Sequence, residues 1–247
     1  MVDDNSTNRK VASQILVKSG CQVDSVSSGK EAILQLQSDV TYDLVLMDIQ
    51  MPEMDGMETT KQLKDLNIID LPPIIAMTAY AMKEDRDRFL AVGMDDYLAK
   101  PIRAQSLIEM VTQWVTGKKA KTTKKKAGKS VKNKTNLVVD IDVIHALSEA
   151  MGGDLVFVKG MLVEFIAEAK EQIASAEKAY KSNDCPGVQS ELHTIKGNSG
   201  TLGASQVYEI CKKIEAKAKV CNFTNFEKEI ATLTSALLTF EIEIVNL

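Results

Sequence analysis

The stretch that decides the N-terminal fold lies at residues 43–56 and reads DLVLMDIQMPEMDG. It begins with an apolar run that ends in the carboxylate of Asp48, and residues 73–78 form a second such run that ends in Thr78. Both runs have the near-continuous hydrophobicity of strands buried on two faces. Weaker strand patterns lie at 22–26 and 97–99, and helical patterns at about 6–19, 29–38, 56–66, 83–93 and 104–116. Strands alternating with helices predict an α/β, doubly wound parallel sheet over residues 1–116.

Polar side chains end or follow the predicted strands of this sheet. In such sheets, ligands bind beyond the carboxyl ends of the strands. We therefore expect these side chains to meet in one pocket. They are Asp3, Asp4, Asp48, Thr78 and Lys100.

The residue types in this set indicate phosphoryl chemistry. Three crowded carboxylates stay ionised together only with a cation, and oxygen ligands without His or Cys favour Mg²⁺. A carboxylate can also attack phosphorus and give an aspartyl phosphate. Lys100 and the Thr78 hydroxyl would then neutralise and bind the phosphoryl oxygens. An aspartate after a strand is more often a turn residue and a lone lysine a surface residue, so the prediction depends on the whole set.

The C-terminal half of the sequence, residues 137–247, has helical periodicity and no strand-like run. The helical stretches lie at about 140–150, 153–181, 185–201, 204–220 and 223–246. Long helices with short breaks between them predict an all-α antiparallel bundle, here of four helices.

A lysine-rich segment, residues 117–136, separates the two halves and holds nine lysines and no acidic residue. Such a run suits either nucleic-acid contact or a solvated linker. We favour a flexible linker without a nucleic-acid partner, since the run has no arginine or aromatic residue to read or stack on bases. As a flexible coil it would span roughly 25 Å root-mean-square.

The chain has two histidines, and His193 is the candidate for chemistry. Helical geometry places it about 140° from the apolar stripe of its helix, so we expect it to face solvent. Lys196 lies three residues on, and we expect it beside His193 on the helix surface, where it can neutralise phosphate charge. Neutral imidazole is abundant near pH 7 and can accept a phosphoryl group. His145 has no partner at ligand spacing, and we interpret it as structural or on the surface.

Composition limits the class of protein, with 45% hydrophobic and 26% charged residues. No window holds the roughly 18 uninterrupted apolar residues of a membrane helix, and the N-terminus has no signal core. We expect a cytoplasmic chain without a membrane segment, and leave open an anchor elsewhere in a longer parent protein. The four cysteines show no paired spacing, which argues against a zinc site and against a disulfide framework.

Residues 1–116 resemble a response-regulator receiver domain, which has a flavodoxin-like fold. The residues that carry this resemblance are Asp3-Asp4-Asn5, the stretch 45–56, Thr78-Ala79 and Lys100-Pro101.

The resemblance implies a role for each residue of the pocket. Asp48 would be the phosphorylated aspartate, with Thr78 hydrogen-bonded to the phosphoryl group and Lys100 paired with it. Tyr97 would be the aromatic switch residue, and the Lys100–Pro101 peptide bond would be cis. The implied Mg²⁺ ligands are Asp48, Asp4 and the Gln50 backbone carbonyl, with Asp3 acting mainly through water.

The sequence departs from the receiver pattern at its start. Receivers have a full apolar strand before the acidic pair, whereas only Met1 and Val2 precede Asp3 here. We therefore expect a truncated receiver whose first strand is largely missing, so that Asp3 and Asp4 lose their rigid support.

Residues 137–247 resemble a histidine-phosphotransfer (HPt) domain. The resemblance rests on the run at 193–204, HTIKGNSGTLGA, and on the bundle pattern. It implies a phosphohistidine at His193 with Lys196 as electrostatic support, and no ATP binding in this domain.

Together the two modules resemble the C-terminal end of a hybrid sensor histidine kinase, or a stand-alone receiver–HPt protein. The expected function is a phosphorelay in which Asp48 and His193 exchange a phosphoryl group, supplied by a histidine kinase core in cis or in trans and passed to a downstream response regulator. The chain itself has no resemblance to an ATP-binding kinase core. An inert receiver beside an active HPt domain is the alternative, and a Mg²⁺-dependent hydrolase ranks lower because the DxDx(T/V) motif is absent.

Overall fold

The computed structural model describes residues 1–78, 83–117 and 138–245. The chain divides into two compact units, one N-terminal and one C-terminal. The predicted linker lies outside the described residues, apart from Gly117. Its flexibility and the domain boundaries therefore stay predictions.

The N-terminal unit is built on three parallel strands in the order β1-β2-β3. Every residue of β1 and β2 is buried, as expected of strands covered on both faces. The predicted parallel α/β fold is confirmed. Its elements are α1 (Ser6–Lys18), α2 (Gly29–Leu36), β1 (Val45–Asp48), α3 (Gly56–Asp65), β2 (Ile74–Thr78), α4 (Lys83–Ala91), β3 (Asp96–Ala99) and α5 (Ala104–Thr116).

A single residue, Val2, stands where receivers have a first strand. It forms parallel bridges to Val26 on one side and to Met47 of β1 on the other. The Val2 N–H donates to Leu46 O at 2.8 Å, and the Asp48 N–H donates to Val2 O at 2.8 Å. The strand predicted at 22–26 is consequently reduced to the bridge at Val26, because only one residue lies opposite it.

Two helix starts position the residues around the end of β1. The Asn5 side chain caps α1 by accepting from the Asn8 N–H, which starts the helix directly after the acidic pair. The Asp55 carboxylate caps α3 by accepting from the Glu58 N–H at 2.7 Å. Gly56 lies against the end of β1, since a Cβ on it would come within 2.1 Å of Asp48 O.

The C-terminal unit is helical throughout its described residues. Four long helices pack in a closed ring, each against the next, and the last against the first. Phe165 and Phe240 meet edge to face in its core, with ring centroids 6.1 Å apart. The predicted bundle is confirmed, preceded by one short helix. Its elements are α6 (Ile141–Ala150), α7 (Leu155–Lys181), α8 (Cys185–Thr201), α9 (Ser205–Ala218) and α10 (Phe226–Val245).

One disulfide overturns the expectation drawn from cysteine spacing. Cys185 and Cys221 are bonded across a sequence separation of 36, with Cα atoms 5.5 Å apart. Cys21 and Cys211 are free thiols. Spacing along the chain could not show this pair, because helix packing is what brings the two residues together.

Within the described ranges, no helix combines the length and the hydropathy needed to cross a bilayer.

Candidate functional site

The acidic pocket lies at the carboxyl end of β1. Asp48 is the last residue of that strand and is 2% exposed, while Asp3 is fully buried and Asp4 is exposed. One carboxylate oxygen from each of the three lies within 4.8 Å of the other two. The structure thus brings the predicted carboxylates together, two inside the protein and one facing solvent.

Lys100 joins the two buried carboxylates. It follows β3, and its Nζ lies 2.6 Å from Asp48 Oδ2 and 2.9 Å from Asp3 Oδ2. The Lys100 N–H also donates to Thr78 O at 2.7 Å, which ties the residue to the end of β2. The Lys100–Pro101 bond is cis, as the resemblance implied.

The start of α1 holds Asp3 from the other side. The Asn5 N–H donates to Asp3 Oδ1 at 2.9 Å, and the buried Asn8 amide lies 3.4 Å from both carboxylate oxygens. Arg9 Nη1 donates to the Asp3 carbonyl oxygen at 2.5 Å. Asp3 therefore keeps a firm support although Val2 alone precedes it in the sheet, and the expectation of a loose Asp3 is wrong. The sequence motifs do not predict the roles of Asn8 and Arg9; the signal for Asn8 is a polar residue on the buried side of α1.

Burial and the neighbouring charges together raise the pKa values of both Asp48 and Lys100 in the pocket. Burial raises the pKa of Asp48 to about 7; the Lys100 ammonium opposes this rise, and the carboxylates of Asp3 and Asp4 add to it. Burial also acts to lower the pKa of Lys100, but the neighbouring Asp48 and Asp3 carboxylates outweigh it and raise that pKa. The buried carboxylates of Asp48 and Asp3 thus share the Lys100 ammonium, and a divalent cation would add further positive charge beside them.

The donor set fits Mg²⁺, since the cluster offers only carboxylate oxygens. The Gln50 N–H donates to Asp48 Oδ1 at 3.1 Å, which brings the loop after β1 back onto the pocket. Thr78 is 2% exposed and lies one residue beyond Met77, the partner of Asp48 in the sheet. Tyr97 pairs with Ala76 in register and packs partly buried against the core. Its switch role stays a prediction.

The second site is centred on His193, in the middle of α8. Its Nδ1 lies 2.9 Å from Glu215 Oε1 on α9, and the side chain is 25% exposed. His193 is therefore half-buried at the α8–α9 junction, whereas a fully solvent-facing side chain was expected. His145 lies exposed on α6.

Lys196 is buried and paired with the same glutamate. Its Nζ lies 2.5 Å from Glu215 Oε2 and 3.4 Å from His193 Nδ1, with the lysine side chain 9% exposed. Lys196 was expected to lie on the surface beside His193. It is instead buried, and it contacts His193 mainly through their shared partner Glu215.

Glu215 pairs with both His193 and Lys196, and the sequence motifs do not predict it. Burial acts to raise its pKa, but hydrogen bonds from His193 and Lys196 and the positive charge of Lys196 outweigh this and lower that pKa to about 2. An ionised carboxylate only accepts, so Glu215 requires the hydrogen on His193 Nδ1 and leaves Nε2 with a lone pair. The available signal was its place on the buried stripe of α9 beside Cys211, Ile214 and Ala218.

A buried carboxylate pocket at the edge of a parallel sheet, and a carboxylate-oriented histidine on a helical bundle, define a two-part phosphotransfer protein. Residues 1–112 match the response regulator receiver domain family and residues 160–240 match the Hpt domain family. The chain belongs to both families, one in each half, and these are modules of phosphorelay signalling.

The relatives are sensor kinases that are longer than this chain. The aerobic respiration control sensor protein ArcB of Escherichia coli K12 is 32% identical over 87% of this chain and 27% of its own length. The sensor protein GacS of Pseudomonas syringae is 29% identical over 98% of this chain and 27% of its length. The chain thus spans about a quarter of the length of these relatives.

One solved structure is the receiver domain of sensor histidine kinase PA1611 from Pseudomonas aeruginosa, described with magnesium in its active-site cleft. It is 35% identical, covers 47% of this chain and 93% of its own, and has a TM-score of 0.42.

Proposed function

We propose that this chain passes a phosphoryl group between Asp48 and His193, with an upstream histidine kinase as donor and a downstream response regulator as acceptor. The observation that carries the proposal is the buried Asp48 carboxylate, 2.6 Å from Lys100 Nζ in a pocket of three carboxylates. A carboxylate in that setting can attack phosphorus while an adjacent ammonium offsets the developing charge.

The first step forms the aspartyl phosphate. An Asp48 carboxylate oxygen attacks the phosphorus of a donor phosphohistidine, the P–N bond breaks, and its electron pair stays on the imidazole. The Lys100 ammonium lies beside that oxygen and neutralises phosphoryl charge, and the Thr78 hydroxyl donates to the phosphoryl group. A bound Mg²⁺, held by Asp4, Asp48 and the Gln50 carbonyl with Asp3 acting through water, would supply further charge neutralisation.

The second step uses His193. Its Nε2 lone pair attacks the phosphorus of an aspartyl phosphate, the P–O bond breaks, and the electron pair returns to the carboxylate. The proton on Nδ1 stays in place, hydrogen-bonded to Glu215, whose negative charge stabilises the positive ring. Lys196 keeps Glu215 ionised and correctly placed.

Phosphorylation of the full chain with acetyl phosphate and Mg²⁺ tests the proposal. We expect acid-labile phosphate that requires Mg²⁺, disappears in Asp48→Asn, and persists on Asp48 in His193→Gln. Exposed Asp39→Asn and His145→Gln serve as matched controls and should behave as wild type.

An inert receiver would give a different result. The chain would then take no label from acetyl phosphate, yet His193 would still accept phosphate from an added phosphorylated receiver domain. If neither residue is labelled under any of these conditions, the relay proposal is wrong.

A further inference from the structure

The Cys185–Cys221 pair joins the two helices that form the histidine site. Cys185 is the first residue of α8, the helix that carries His193. Cys221 lies three residues beyond the end of α9, the helix that carries Glu215. The crosslink therefore fixes α8 and α9 to each other at one end, about two turns from His193.

The two sulfur-bearing residues are accessible, which distinguishes them from Cys211. Cys221 is exposed and Cys185 partly so, whereas Cys211 is fully buried and burial raises the pKa of its thiol. Soluble thiols and disulfides can therefore reach the Cys185–Cys221 bond and cannot reach Cys211.

An aromatic cluster brings the turn between α7 and α8 next to the turn between α9 and α10, without involving the disulfide bond. Tyr180, near the end of α7, stacks on Phe226 at 4.3 Å between ring centroids and meets Phe223 at 5.3 Å. Tyr180 lies five residues before Cys185, and Phe223 two after Cys221. Because these rings keep the turns together, reduction would leave the two thiols close enough to react again.

Helix α8 also favours exchange at Cys185. At the first position of the helix, Cys185 lies at the positive end of the helix dipole, which favours the thiolate. The Asp184 carboxylate opposes part of this effect, although it is engaged as the helix cap with the Gly187 N–H at 3.0 Å. Cys185 is thus the sulfur expected to attack and to leave in exchange.

We propose that Cys185 and Cys221 form a reversible thiol–disulfide site, which a low-molecular-weight disulfide oxidises and a dithiol reduces, and which tunes phosphoryl transfer at His193. In oxidation, the Cys185 thiolate attacks the small disulfide and releases one small thiol. The Cys221 thiolate then attacks Cys185 sulfur in the mixed disulfide and releases the second. Two protein thiols and one small disulfide thereby give the crosslink and two small thiols.

The effect on His193 follows from the helices that the crosslink joins, and this part depends on the proposed relay function. The 2.9 Å contact between Nδ1 and Glu215 spans α8 and α9, so it depends on how firmly these helices are held. The oxidised form restrains them and should accept phosphate faster, by roughly threefold or more, since small misplacements of reacting groups are costly.

Redox titration of the full chain with glutathione mixtures tests the site itself. Thiol-specific labelling and peptide mapping should show Cys185–Cys221 opening and closing together, while Cys211 stays unlabelled in the folded protein. Reduction should lower the melting temperature of one calorimetric transition by on the order of 10 °C. Cys185→Ser should melt like reduced wild type and ignore the titration, and Cys21→Ser is the matched control.

Transfer rates in the oxidised and reduced forms, measured from an added phosphorylated receiver domain, test the coupling. A crosslink that never forms at any glutathione ratio overturns the proposal, and so do measurable transfer rates that are equal in both forms. If His193 accepts no phosphate in either form while the crosslink still titrates, the relay function fails and the thiol site stands as a separate result.

Discussion

The Glu215 carboxylate lies 2.9 Å from Nδ1 of His193 and 2.5 Å from Nζ of Lys196. The shorter contact to Glu215 decides the histidine tautomer, because Lys196 already donates to Glu215 and lies 3.4 Å from Nδ1. Nδ1 therefore carries the hydrogen, and Nε2 is the nitrogen left for phosphorus.

Replacing Glu215 should lower both the stability of the helical unit and the rate at which His193 accepts phosphate, and the loss should be larger when no hydrogen-bond acceptor remains. Glu215→Ala leaves Lys196 buried without its partner, at a cost of about 3–5 kcal/mol in the free energy of unfolding. His193 should then accept phosphate roughly tenfold more slowly, because the tautomer is no longer fixed. Glu215→Gln retains an acceptor oxygen and should lose less. Phosphotransfer rates and chemical denaturation measure both effects, with Glu209→Ala on the same helix as control; equal rates in all variants would contradict the tautomer argument.

Acid should destabilise the helical unit through the same residue. The pKa of Glu215 falls from 4.5 to about 2 on folding, so its contribution is complete above about pH 5 and is lost as the pH drops towards 2. Glu215→Gln should remove this pH-dependent part, on the order of 2–3 kcal/mol. Denaturant titrations at pH 7 and pH 3 give the comparison. The idea fails if the variant loses as much stability between these pH values as wild type.

Lys100→Met should destabilise the receiver unit by about 3–5 kcal/mol, since it leaves the buried carboxylates of Asp48 and Asp3 without their cation. Lys61→Met, on the exposed side of α3, is the matched control and should change stability little. Added Mg²⁺ should restore part of the loss in Lys100→Met. Thermal melts with and without Mg²⁺ measure both, and a variant as stable as wild type without Mg²⁺ would contradict the ion-pair role.

Two Gly→Ala substitutions should change the free energy of unfolding in opposite directions. Gly56→Ala places a Cβ within 2.1 Å of Asp48 O, so it should cost roughly 1–3 kcal/mol and slow phosphorylation of Asp48. Gly160→Ala, inside α7, meets no atom within 4 Å and should stabilise its unit by about 0.5–1 kcal/mol. Denaturation of both variants, with acetyl phosphate labelling of Gly56→Ala, tests the pair. Destabilisation by Gly160→Ala would show that the space available for a Cβ does not decide whether the substitution stabilises the protein.

The sequence predicted the site residues that follow from the strand pattern, and it missed the contacts that depend on how the helices pack. Asp48 and Lys100 follow apolar strand runs, so the parallel sheet alone places them at one edge. Glu215 lies on another helix from His193, and Cys221 is 36 residues from Cys185, so neither partner follows from spacing. Position along α8 suggested that Lys196 lies at the surface, but its pairing with Glu215 keeps it buried.

Lys100 gives the acidic pocket a resident counter-ion. Its ammonium contacts both buried carboxylates, so these two side chains have a cationic partner within the protein. The ion pairs of Lys100 therefore support the folded receiver separately from the proposed binding of Mg²⁺. In the proposed relay, Mg²⁺ would then enter and leave the pocket while the domain stays folded.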